Sequence, residues 1–189
     1  LHVGPHYRWI ALSNGNISPA ILDGAGFRER LYRNKPFRYD QLRKLQEKLL
    51  DYAENHGYPF AKVWLDSILI NKGRVAAQLM MDRGSLILVK ELDLRGNAQI
   101  SQVYMENYLG IAPGRPYNNQ QVRQIRNRVQ ELPFLTLAED PTVTFIEREA
   151  TIQLPLEKKR ASRFDFVLGV LPQNEAGRQL NDRTVLVTG

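Results

Sequence analysis

Two helical stripes dominate the hydrophobic pattern. Leu42, Leu45 and Leu49 recur at i, i+3 and i+7, and Val122, Ile125 and Val129 repeat that spacing 80 residues later. The pattern predicts helices over about 38–56 and 118–131. A shorter helix precedes each, over about 18–24 and 101–109. They are entered at Ser18-Pro19 and at Ser101. Serine is a good N-cap, and proline is tolerated at the first helical position. Val103, Tyr104, Tyr108 and Leu109 are expected to form the apolar face of the second short helix. Gly26 and Gly110 break the chain after these helices. The first long helix is expected to close at His56-Gly57 and the second before Pro133.

The remaining apolar runs read as strands. Tyr7–Leu12 and Leu86–Leu94 precede the helices; Ala61–Ile70, Arg74–Met81, Thr142–Glu147 and Ala150–Glu157 follow them. Asn71-Lys72-Gly73 between two apolar runs is a hairpin signal. The order is β-α-α-β-β, twice. Residue matches support the repeat: Pro36-Phe37 with Gln41-Leu42-Arg43 is matched by Pro116-Tyr117 with Gln121-Val122-Arg123, and Gly15-Asn16 by Gly96-Asn97. Late in each unit Val75–Leu79 matches Ala150–Leu154 at an offset reduced to 75. The predicted class is α+β. Each module is a three-stranded mixed sheet with two antiparallel helices on one face. The first module is expected over 1–84 and the second over 85–158, abutting without a linker as a stiff pair.

Residues 159–189 belong to neither copy. Lys158, Lys159, Arg160 and Arg163 form a basic cluster. A strand is predicted over about 163–171, with Phe164, Phe166, Leu168 and Val170 on one face. A strand with one apolar face and little left to pack against it reads as the incomplete start of a β-barrel, the alternative being a hairpin docked on the second module.

Composition narrows the chemistry. Of 189 residues, 43% are hydrophobic and 24% charged, with a net charge of +6. The absence of cysteine excludes disulfides, zinc–thiolate sites and thiol catalysis. No apolar run is long enough for a transmembrane helix. The opening LHVGPHYRWIAL lacks the pattern of a signal peptide and reads like the interior of a fold, so a fragment or processed chain is expected. His2, His6 and His56 have no metal-ligand or acid–base spacing, and Gly24-Ala25-Gly26 lacks a phosphate-loop context. Glu147 with Glu149, and Asp23 with Glu29, read as surface acids. No catalytic residue, metal or cofactor is expected, and the chain is not expected to be an enzyme.

The run Leu94-Arg95-Gly96-Asn97, Ile100-Ser101, Tyr108-Leu109-Gly110-Ile111 and Pro113-Gly114-Arg115-Pro116-Tyr117 resembles a POTRA (polypeptide-transport-associated) domain. Such βααββ modules stand in tandem before the barrel of BamA-like and TamA-like outer-membrane proteins. Ser162–Gly169 resembles the first barrel strand of that superfamily, particularly a Bacteroidetes-like branch. The resemblance implies a periplasmic location in a Gram-negative bacterium, attached to the outer membrane through a barrel absent from this sequence. It implies a role in assembling or translocating outer-membrane proteins. The implied partners are unfolded outer-membrane polypeptides, accessory lipoproteins, and outer-membrane lipid through the C-terminal continuation.

The resemblance implies that the penultimate strand of each module, Ala61–Ile70 and Thr142–Glu147, lies at a sheet edge, where unpaired N–H and C=O groups can accept an extended peptide. In the first module this makes Val63, Trp64, Leu65, Asp66, Ser67 and Ile68 the candidate polypeptide-binding edge. Strict alternation over Lys62–Ile70 leaves both faces partly apolar. Lys158, Lys159, Arg160 and Arg163 are candidates for anionic headgroups. Two other functions compete. One is a structural spacer or scaffold for lipoprotein partners. The other is nucleic-acid binding through Arg115, Tyr117, Arg123, Arg126 and Arg128. Glu106, Glu131, Glu47, Asp51 and Glu54, interspersed on the helices, weigh against it, and no nucleic-acid partner is expected.

Overall fold

The computed structural model describes residues 6–159. Strand β1 (Arg8–Ser13) leads into α1 (Pro19–Gly24), a 3-10 turn (Glu29–Leu31) and α2 (Tyr39–Glu54). The hairpin β2 (Lys62–Asn71) and β3 (Arg74–Asp82) follows. The second set is β4 (Leu88–Gly96), α3 (Gln102–Leu109), α4 (Asn119–Glu131), β5 (Leu135–Leu137), β6 (Thr142–Ile146) and β7 (Glu149–Lys158).

The last strand is central in both sheets. β3 lies between β1, which is parallel to it, and β2, which is antiparallel. β7 has β4 parallel on one side and both β5 and β6 antiparallel on the other. The repeat extends to an irregularity: the parallel ladders slip between Trp9 and Ala11 and again between Val89 and Glu91. Polypeptide connectivity explains the mixed topology. The two helices return the chain to the edge strand β2, and the short turn at Lys72-Gly73 then reverses it, so that β3 runs antiparallel to β2 and parallel to β1.

Each sheet has its own core. Val75, Ala77, Leu79 and Met81 are buried on one face of β3, against Leu42, Leu45 and Leu49 of α2. Ile152, Leu154 and Leu156 of β7 pack with Met105, Leu109, Ile125 and Val129. The i, i+3, i+7 stripes are therefore the helix faces turned to the sheets, although Val122 is only partly buried.

Four sequence expectations need correction. Ser18 and Ser101 occupy the N-cap positions with extended backbone, but neither side chain caps its helix. The buried face of α3 is Met105 and Leu109; Val103 and Tyr104 lie exposed, and Tyr104 stacks on Tyr108. Asn55, not Gly57, is the C-cap of α2. The second sheet has four strands rather than three, because Leu135–Leu137 also pairs with β7. The barrel strand expected at about 163–171 lies outside the described residues.

Candidate functional site

The edge of the first sheet is formed by β2. Its inner side pairs with β3 from Lys62↔Asp82 to Asn71↔Arg74. No strand pairs with its outer side among the described residues. The other edge of the same sheet is covered: Trp9 N donates to Lys35 O, Asn34 N to Trp9 O and Phe37 N to Tyr7 O. The Pro-aromatic motif seen in the sequence thus sits on the outer side of β1. Pro116-Tyr117 does the same for β4, with Val89 N donating to Arg115 O and Tyr117 N to Ile87 O.

Along β2 the six candidate residues divide into three environments. Val63 and Leu65 turn inward and pack half-buried against the first core. Trp64, 41% exposed, and Asp66 stand on the opposite face, across from Met80 and Gln78. Ser67 and Ile68 lie in a bulge between Asp66↔Gln78 and Leu69↔Ala76. Strict alternation over Lys62–Ile70 therefore fails. Ser67 takes a left-handed φ of 48°, and its N–H donates to Asp66 Oδ1 at 2.7 Å. The short acidic side chain satisfies the N–H that the extra residue displaces from the ladder. From the bulge onward Ile68, Leu69 and Ile70 are all exposed. A side chain there meets no helical layer, so the strand ends in an apolar rim beside free backbone.

The corresponding edge of the second sheet is broken. β5 and β6 share one side of β7, separated by residues 138–141. The gap is held by Ala138 N donating to Pro155 O and by Arg126, whose Nε and Nη2 both reach Asp140 Oδ1. Glu147, expected in the strand, lies in the turn with φ 54°. Three residues of alternating Leu-Thr-Leu were the one signal for β5, too short to set against the preceding Pro133.

The other candidates are scattered or engaged. Lys158 and Lys159 are exposed at the end of β7, while Arg160 and Arg163 lie outside the described residues. Tyr117 is buried, so its ring offers no stacking face. Arg123 pairs with Glu54, Arg126 with Asp140, and Arg128 donates to Tyr108 O. His56 Nδ1 lies 2.6 Å from Tyr52 O and its ring stacks on Tyr52. Burial, and secondarily the Glu54 carboxylate, raises the Tyr117 phenol above its ordinary value. Among the described residues no cluster of His, Asp or Glu is arranged to hold a metal ion.

A polar junction, missed by the sequence analysis, joins the two sheets. Asn118 Nδ2 donates to Asn55 O, Gln120 N donates to Asn55 Oδ1, and Ile87 N donates to Gly57 O at 2.8 Å. Asn119 donates to Glu54, and Phe60 meets Phe145 edge-on at 5.0 Å between centroids.

No protein-family model and no curated protein sequence matches the chain. Solved structures do. The chain is similar to POTRA domains 3–5 of Haemophilus influenzae BamA, with 18% identity and a TM-score of 0.56, covering 80% of this chain and 61% of that one. It is also similar to Haemophilus ducreyi BamA lacking POTRA domains 1–3, with 16% identity and a TM-score of 0.57, covering 79% of this chain and 29% of that one. The described residues have the fold of tandem POTRA domains. The chain spans less than two thirds of either relative.

Proposed function

We propose that this chain is a non-enzymatic periplasmic part of a BamA-like outer-membrane assembly or translocation protein. Its modules, 1–84 and 85–158, bind outer-membrane polypeptides in transit, and the basic segment Lys158, Lys159, Arg160 and Arg163 leads toward anionic headgroups and a barrel. One observation carries the binding reading. β2 is a ten-residue edge strand with no neighbour on its outer side among the described residues, ending in exposed Ile68, Leu69 and Ile70. Backbone pairing is nearly blind to sequence, which suits a module that meets many β-strand segments. An exposed apolar edge is otherwise an aggregation liability, so retaining it favours use.

The test is strand capture. A photo-crosslinker replaces Trp64, and an unfolded outer-membrane polypeptide is offered. Leu65→Pro removes an N–H from the edge strand, and Ile68→Asp charges its rim. Both are expected to reduce cross-linking several-fold, while near-ultraviolet dichroism shows the fold retained. Undiminished capture by a folded Leu65→Pro or Ile68→Asp protein rules out pairing at β2.

A second reading, a stiff spacer that holds accessory lipoproteins at a set distance, is favoured by the Asn55–Asn118 junction. Loss of that rigidity in Asn55→Ala, seen as a broader distance distribution between spin labels on the two sheets, would support it.

A further inference from the structure

The helices cover one face of each sheet, and the two copies furnish the opposite face differently. Val75, Ala77, Leu79 and Met81 of β3 are buried beneath the helices, which turns Arg74, Ala76, Gln78, Met80 and Asp82 to the other side. Cross-strand register completes that face. Ala76 lies between Ala11 and Leu69, Gln78 lies between Ser13 and Asp66, and Met80 stands beside Trp64. Leu69 is 68% exposed, Ile10 43% and Trp64 41%. In the second unit the rows corresponding to the first two are Glu91, Thr151 and Thr144, then Asp93, Gln153 and Thr142. A sheet face turned to water ordinarily carries polar residues, as those rows do. The fold therefore stands without the apolar residues that the first unit shows to solvent.

Charge on this face is sorted by end. Arg8 and Arg74 are register partners at the start of β3, with Lys72 in the adjoining turn. None of these cations makes an ion pair among the described residues. Asp66 and Asp82 lie toward the other end, where Lys62 is the register partner of Asp82. Dimensions limit what could cover the face. Three strands about 4.8 Å apart make it about 10 Å wide, and β3 gives it a length of about 30 Å. That is the footprint of one α-helix, about 10 Å across and about 20 residues long. A second copy packed sheet to sheet needs about 800 Å² from each partner, whereas the face offers about 300 Å².

We propose that the open face of the first sheet receives an amphipathic α-helix from a separate polypeptide, lying antiparallel to β3. Its apolar stripe covers Ile10, Ala76, Leu69, Met80 and Trp64; contiguous exposed apolar residues mark contact surfaces of this kind. Its C-terminus, with roughly half a negative charge on free carbonyls, lies over Arg8 and Arg74. Its N-terminus, with roughly half a positive charge, lies over Asp82 and Asp66. On the opposite face α2 already packs in this way, with Leu42, Leu45 and Leu49 against β3. The chain's own tail does not fit the helix, because Phe164, Phe166, Leu168 and Val170 carry a strand's period. Strand capture at the edge of β2 would use backbone groups rather than this face, and the proposal does not rest on it.

Trp64 reports on the face directly, while Trp9, 1% exposed, gives a constant background. The probe is a synthetic peptide of about 20 residues with leucines at helical spacing and glutamates in its last turn. Added to residues 1–189, it is expected to shift Trp64 emission to shorter wavelength and to gain helix in far-ultraviolet difference dichroism. Leu69→Thr, alone and with Ala76→Thr, installs the residues that the second unit carries at these places, Thr144 and Thr151. The double variant is expected to weaken binding roughly tenfold or more through the lost burial of leucine. Arg74→Glu is expected to weaken it severalfold. Near-ultraviolet dichroism checks that each variant is folded. Absence of a Trp64 shift overturns the proposal, as does binding that the folded Leu69→Thr or Arg74→Glu protein leaves unchanged. A gain of strand in place of helix assigns the peptide to the edge of β2 and also overturns it. So do vesicles of equimolar phosphatidylglycerol and phosphatidylcholine that shift Trp64 as far as the peptide does, since they would make the face a lipid contact.

Discussion

Asn118 Nδ2 donates to the main-chain oxygen of Asn55 at 3.0 Å, and the Asn55 side chain accepts from the first turn of the helix that Asn118 caps. The end of α2 and the start of α4 are thereby tied through two amides. Each side supplies what a helix terminus lacks: donors for the last carbonyls and acceptors for the first N–H groups. Opposite ends of the two helix dipoles also face each other.

Removing either amide should therefore weaken both units together. Asn118→Ala loses its own cap on Gln121 N as well as the bond to Asn55, and loss of such a cap costs about 0.5–2 kcal/mol. Asn55→Ala is expected to cost about 1 kcal/mol, a typical net hydrogen bond. Urea denaturation of the two single variants and the double should give a coupling energy of about 0.5 kcal/mol or more, as for residues in contact. Strict additivity would show that the two amides act independently.

Gly57 bears the steric side of the same junction. Its φ is +91°, and an added Cβ would stand 2.5 Å from Leu86 Cδ1 and 3.1 Å from Pro116 Cβ. Gly26 has a φ of +73° with nothing within 4 Å of such an atom. Gly57→Ala and Gly26→Ala share the left-handed backbone strain of about 1–3 kcal/mol. Only the first adds a clash, so Gly57→Ala is expected to lower the thermal midpoint further than Gly26→Ala.

The two cores are separate clusters, so cavities in them should not communicate. Leu49 and Ile125 are fully buried, one under each sheet. Leu49→Ala and Ile125→Ala are each expected to cost about 2–5 kcal/mol. Sites without shared partners add within about 0.5 kcal/mol, and the double variant's denaturation curve checks this.

Alkaline pH should act through Tyr117. Burial opposes its phenolate first and the Glu54 carboxylate second, while Arg123 works the other way. The folded-state pKa is thus raised above the ordinary 10.0. The resulting stabilisation is complete below pH 10 and is lost as pH rises through the raised folded value. Tyr117→Phe should flatten that part of the decline in stability above pH 10. It also forfeits the hydroxyl bond to Asn119, worth about 0.5–1.5 kcal/mol at neutral pH. Stability measured across pH 9–12 distinguishes the two effects.

Much of the architecture was legible because it rests on local period. The stripes Leu42–Leu45–Leu49 and Ile125–Val129 are buried in the structure, and β1, β2, β3, β4, β6 and β7 fall within a few residues of their expected limits. What was misread has local causes too. Two neighbouring residues of α3, Tyr104 and Met105, are both hydrophobic, and only packing decides that Met105 goes inside. The bulge at Ser67 depends on the Asp66 side chain turning back on the following N–H. Nothing in an alternating run announces that choice.

The sequence alone determined the repeated order of strand, two helices and closing hairpin, the class of the fold and the absence of thiol chemistry. These follow from side-chain periodicity and composition, which act within one helix or strand. The tertiary structure alone decided where the first edge strand bulges, how the second edge is divided, and which residues join the units. Asn55 and Asn118 stand 63 residues apart. Their hydrogen bonds exist because two helix ends with unsatisfied backbone groups meet in space. A single sequence carries no period from which such a meeting could be read.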